Sequence, residues 1–137
     1  MKIFNHAFLM VVLIATACTT NKSESANEWP ELDAFHEVMA AAWHPVADSS
    51  NFEPARTNAA AMEQQAKVWL EAPIPNGLDK EATAARLKAL LDSCGSFKLA
   101  VEAGRPDSLL KPSLARLHHM FHGLQESWDE AGEEPKH

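Results

Sequence analysis

The stretch Leu114-Ala115-Arg116-Leu117-His118-His119-Met120-Phe121-His122-Gly123-Leu124-Gln125-Glu126-Ser127-Trp128 decides the fold. Leu114, Leu117, Phe121, Leu124 and Trp128 recur at alternating steps of three and four. That spacing lays them along one stripe of an α-helix, the seam of a helix bundle. The residues between them are mostly polar or small, so the same helix has a face for the core and a face for water.

Working outward, three more segments carry apolar residues at the same spacing, separated by Pro or Gly. The first runs from about Pro30 to His44. Pro30 suits a first helical turn, Glu31 and Asp33 complement the dipole there, and Leu32, Phe35, Met39 and Ala42 or Trp43 make the stripe. Pro45 is expected to end it. The second covers Phe52 to Ala72, with Pro54 in its first turn and Ala59, Met62, Ala66, Trp69 and Leu70 inward. Pro73-Ile74-Pro75-Asn76-Gly77 breaks the chain there.

The third segment spans about Asp79 to Ala103, with Leu87, Leu90, Leu91, Cys94, Phe97 and Val101 inward and Gly104 where a terminating glycine belongs. Gly95 inside it costs about 1 kcal/mol against Ala and marks a close helix contact. The fourth is expected to begin near Lys111 or Pro112, because Pro is excluded from a helix interior. Strand signals are poor: there is no Tyr, few residues are β-branched, and no alternating run is bounded by hairpin turns. The prediction is an all-α, antiparallel up-down-up-down four-helix bundle over residues 29–132, with a short tail at 133–137.

The first 17 residues read as an export signal: Lys2, then an apolar run from Ala7 to Ala17, too short to span a membrane. Ala15-Thr16-Ala17-Cys18 resembles the bacterial lipobox, with Ala15 where that motif usually has Leu. The resemblance implies that Cys18 becomes the lipidated first residue of the mature chain. Thr19 follows, without the Asp that retains such proteins in the inner membrane, which implies an outer-membrane lipoprotein facing the periplasm and held to the membrane through its lipid. Residues 18–28 are polar and make a flexible tether. The formal net charge is −7. Removing the signal, with its single Lys and no acid, leaves the mature chain more acidic still. Such a chain has no basic stripe for phosphates, which argues against nucleic acid and leaves metal cations acceptable. With Cys18 lipidated, Cys94 is the remaining thiol, so an internal disulfide is excluded. It reads as a small buried hydrophobe.

Six histidines follow the signal: 36, 44, 118, 119, 122 and 137. In an up-down-up-down bundle, helices one and four are neighbours, and each has a seam Phe followed directly by a His, at Phe35-His36 and Phe121-His122. That puts each imidazole on the flank of the seam. His118 and His122, four residues apart, stack on one helix face with Cβ atoms roughly 5–6 Å apart and can share an ion. Aligning the helix midpoints sets His36 opposite Phe121 or His122, and Met39 opposite His118. Three histidines with a thioether suit copper; three histidines with Glu37, Glu126 or water suit zinc. His44 lies about 12 Å along the axis from His36, too far to share its ion. It can complement the helix dipole before Pro45 or serve a second site, with Asp48. His119 and His137 read as solvated.

A signal peptide, a four-helix bundle and ligands on helices one and four resemble the periplasmic bundles of the cytochrome b and cytochrome c-prime type. Lys98-Leu99-Ala100-Val101-Glu102-Ala103-Gly104, followed some 18 residues later by His122, looks like the corresponding corner of the soluble b-type cytochromes. The resemblance implies haem b held by Met39 and by His122 or His118. The Cys-x-x-Cys-His attachment motif is absent, so covalent haem is excluded. Phe35-His36-x-x-Met39-x-x-x-x-His44-Pro45 and His118-x-x-Phe121-His122 also look like small exported bundle proteins thought to bind metal ions.

The leading expectation is a non-catalytic lipoprotein that holds copper or zinc between helices one and four, through His36, His118, His122, Met39 and, at a second site, His44, for buffering, sensing or delivery. Haem b electron transfer ranks second, because three histidines crowd a site where that class needs one. A structural or chaperone-like bundle with idle histidines ranks third. The chain lacks a nucleophile–base–orienter set, a Gly-rich phosphate loop and a paired-carboxylate pattern, so an enzyme is the weakest reading. Nothing in it specifies a protein partner.

Overall fold

The computed structural model describes residues 28–132. The export signal, Cys18, most of the tether and the tail at 133–137 lie outside the described residues. Among those described, the chain is all-helical, with no strand: α1 spans Pro30–Ser49, α2 Glu53–Glu71, α3 Lys80–Glu102 and α4 Asp107–Gly132. No helix among them is long and apolar enough to cross a membrane.

Local chemistry explains most of the boundaries. Pro30 opens α1 with Glu31 and Asp33 in its first turn. The Asn51 side chain accepts from the Glu53 backbone N–H at 3.1 Å just before α2. Asp79 caps α3 by accepting from the Ala82 N–H at 2.9 Å. At the far end Gly104 takes φ +65°, and the N–H groups of Gly104 and Arg105 close back on the carbonyls of Val101 and Ala100. That is the left-handed glycine termination expected from the sequence.

Two boundaries differ from expectation, both at prolines. Helix α1 does not stop at Pro45 but continues for another turn to Ser49. Pro45 forfeits one N–H, yet its carbonyl accepts from Ser49 Oγ and the Asn51 N–H, and Val46 is fully buried in the core. Burial of Val46 offsets the missing bond. Ser50 then ends the helix in a left-handed conformation, φ 55°. Likewise α4 starts at Asp107, with Pro112 in its second turn. Leu110 is completely buried, and Arg56 of α2 holds this end, its Nη2 donating to the Arg105 carbonyl and to Asp107. The missing Pro112 N–H leaves the Ser108 carbonyl without its helical donor at an exposed residue, where water can serve it.

The predicted stripes form the core. Leu32, Phe35, Met39 and Ala42 of α1 meet Ala59, Met62, Ala66 and Trp69 of α2, Leu87, Leu90, Cys94 and Phe97 of α3, and Leu114, Leu117, Phe121 and Leu124 of α4. Leu70, Leu91, Val101, Trp43 and Trp128 are half-buried around it. Trp29 packs edge-on against Trp69 at 5.1 Å and Trp128 at 5.7 Å, plugging one end of the core. Gly95 leaves room for Glu63: a Cβ there would lie 3.1 Å from its Oε1, and Glu63 pairs with Lys98. The close contact predicted at Gly95 is therefore with a carboxylate on α2. Each helix packs on its sequence neighbour, and α1 also meets α4, more sparsely than it meets α2. That thinner seam is where the histidines lie.

Candidate metal centre

The α4 backbone places His118 and His122 one turn apart on the flank of the Leu117–Phe121–Leu124 stripe. Both are half-buried. Their Nε2 atoms face each other at 3.0 Å, with the ring planes at 89°. The second nitrogen of His122, Nδ1, lies 3.2 Å from Gln125 Oε1. An amide oxygen only accepts, so Nδ1 of His122 carries its proton and donates. Nε2 of neutral His122 is then a bare lone pair, and His118 Nε2–H donates to it. A hydrogen-bonded outer partner of this kind orients a metal-binding imidazole.

Helix α1 supplies the opposite wall. The Trp43 indole stacks on His118, centroids 4.8 Å apart and planes at 19°. His36 stacks flat on Phe121 at 5.0 Å and 9°, and Phe121 in turn lies 5.3 Å from the His122 ring. His36 is thus opposite Phe121, as the level alignment predicts, and sits at the rim of the same groove with its imidazole exposed. Burial pushes the His118 pKa below its usual 6.5, and the neighbouring imidazoles of His122, His44, His36 and His119 push it further the same way. A neutral, unprotonated imidazole is the form that binds metal.

The remaining predicted ligands divide. Met39 is fully buried in the core, and it is Trp43, unforeseen in this role, that lies against His118. His44 is exposed and close enough to repel charge on His118; because α1 runs on to Ser49, it is not in the last turn of its helix, and its role as a dipole cap falls. His119 turns towards α3, lining a cleft of about 400 Å³ with Arg86, Met120 and Glu130. Cys94 is buried and its thiol is pushed up to about 12, first by burial and then by Glu63, so it is no thiolate ligand. Among the described residues, no three His, Cys, Asp or Glu side chains come together as an ion-holding group. The preformed element is a pair.

The chain matches no protein-family model, no curated protein and no solved structure. Its chemistry has to be read from its own residues.

Proposed function

We propose that this protein is a non-catalytic, exported lipoprotein that binds a transition-metal ion, copper or zinc, in the groove between α1 and α4. The observation that carries the reading is the 3.0 Å approach of the His118 and His122 Nε2 atoms, the latter unprotonated. Two borderline-soft nitrogens one helical turn apart suit such ions, and the depressed His118 pKa reduces competition from protons. His36 and His44, exposed on α1, stand at the rim of the groove. Buffering or delivery fits a half-open site better than permanent storage.

The bundle is read as antiparallel and up-down-up-down. Trp29, just before α1, meets Trp69 near the end of α2 and Trp128 near the end of α4, which supports that arrangement. Haem b is disfavoured because Met39, the ligand it would need on α1, is committed to the core. Anchoring through Cys18, and with it the periplasmic face of the outer membrane, belongs to the proposal.

The test is metal analysis of the purified protein with an absorption spectrum. Stoichiometric copper or zinc, lost in His118→Ala and His122→Ala and kept in His119→Ala, supports the reading. A Soret band would replace it with haem, and no bound metal would leave a structural bundle. Cys18→Ala should release the protein from the membrane fraction.

A further inference from the structure

The cleft of about 400 Å³ between α3 and α4 gathers local choices that each weaken the fold. Gly123, in its wall, stands inside α4, where glycine is a poor helix former. Gly95 on α3 has a reason in the nearby Glu63 carboxylate, but a Cβ on Gly123 would meet no other turn's side chain and no neighbouring helix within 4 Å. Glu126 and Glu130, also in the wall, put like charges one turn apart. Glu130 lies in the last turn of α4, where a carboxylate opposes the helix dipole and no basic residue offsets it. Neither carboxylate has an ion-pair partner among the described residues. Conflicts between local preference and fold concentrate at functional sites.

Arg86 of α3 brings the opposite charge to the same cleft without neutralising these acids. Its Nη1 donates to Ser127 Oγ at 2.7 Å and to the Gly123 carbonyl at 3.4 Å, and the Ser127 hydroxyl donates to that carbonyl at 2.9 Å. The guanidinium is thus tied across to α4 through one nitrogen. Nε and Nη2 have no protein partner among the described residues, and together they form an edge that takes a carboxylate bidentately. Met120 and Ala89 add an apolar wall. The volume falls at the small end of ligand pockets, about 300–1,000 Å³.

A cation and two carboxylates held apart in one small cleft, beside apolar surface, match a ligand that carries both charges itself. We propose that this cleft binds a free α-amino acid with an apolar side chain. Its carboxylate sits on Arg86, its ammonium on Glu126 and Glu130, and its side chain against Met120 and Ala89. Gly123 keeps the floor clear so that the ligand can approach the α4 backbone. The site lies on the α3 side of α4, away from the histidine pair, which faces Trp43 of α1.

The experiment uses the full chain, freed of metal with EDTA so that no metal–amino-acid chelate forms. It is titrated calorimetrically with L-leucine, with leucinamide, which lacks the carboxylate, and with N-acetyl-leucine, which lacks the ammonium. The expected result is saturable binding of one leucine per chain, weaker by about tenfold or more for either analogue. Arg86→Gln and Glu126→Gln should each weaken leucine binding while helicity is retained. Gly123→Ala separates a ligand site from a structural feature: it should raise the thermal midpoint, alanine being the better helix former, and lose leucine binding. Absence of saturable leucine binding, leucinamide bound as tightly as leucine, or Gly123→Ala binding leucine like the native chain would each overturn the proposal. Failure here would leave the metal reading untouched, since that rests on the other flank of α4.

Discussion

The indole of Trp43 on α1 lies against the imidazole of His118 on α4, centroids 4.8 Å apart and planes within 19°. This stack ties the two helices together at the level of the histidine pair and makes Trp43 a reporter of what His118 does. Trp29, Trp69 and Trp128 form a separate cluster with one another. A paramagnetic ion on His118 should therefore quench Trp43 selectively. Fluorescence titration with copper(II) should show quenching in the native protein, most of which disappears in Trp43→Phe. Equal quenching in both would mean that the ion binds elsewhere.

Gln125 should matter to metal affinity without touching the ion. It accepts from Nδ1 of His122 and so keeps Nε2 unprotonated. Loss of such an outer partner typically costs 10–100-fold in affinity, and Gln125→Ala should fall in the lower part of that range because the groove is half open. Gln125→Glu, which keeps the acceptor, should restore binding. Competition against a colorimetric chelator measures both.

His118 should give the fold a pH dependence in the mildly acid range. Its folded pKa is lowered, so the folded state favours the neutral ring more than the unfolded chain does. The contribution is fully present above the usual 6.5 and is lost as pH falls from there through the depressed folded value. Denaturation midpoints should decline between about pH 7 and pH 5. His118→Gln should flatten part of that decline, and an identical slope in the variant would remove His118 as its source.

Core truncations on α4 should be severe. Leu117→Ala should cost about 2–5 kcal/mol and Phe121→Ala about 3–5 kcal/mol. Phe121 packs against Phe35 at 5.9 Å and Trp69 at 6.4 Å, and also carries the His36 ring, so few neighbours can close the void. Chemical denaturation gives these values directly, and losses below about 1 kcal/mol at both sites would contradict the packing.

Cys94 should be inert to alkylating reagents in the native protein and reactive after unfolding. It is buried, and its thiol is pushed up to about 12. Mass spectrometry of native and denatured samples distinguishes the two states, and rapid native labelling would show that α3 opens far more readily than its burial implies.

The four helices and their inward stripes were legible in the sequence because helical periodicity is a local property: Leu114, Leu117, Phe121 and Leu124 share a face wherever their helix packs. The glycine stop at Gly104, the Asp79 cap and the approach of His118 to His122 are local in the same way, set within one turn of backbone. The ends of α1 and α4 were not, since Pro45 and Pro112 read locally as stops; burial of Val46 and Leu110, decided by distant neighbours, outweighs one missing hydrogen bond at each. Which α1 residues face the histidine pair was likewise a tertiary decision. Spacing aligned Met39 with His118, but the level at which α1 meets α4 sets Trp43, one turn further along the same face, against His118, while Met39 stays in the core. That level follows from how Phe35, Met39 and Ala42 fill the core against three other helices, a many-body packing problem that no single helix encodes.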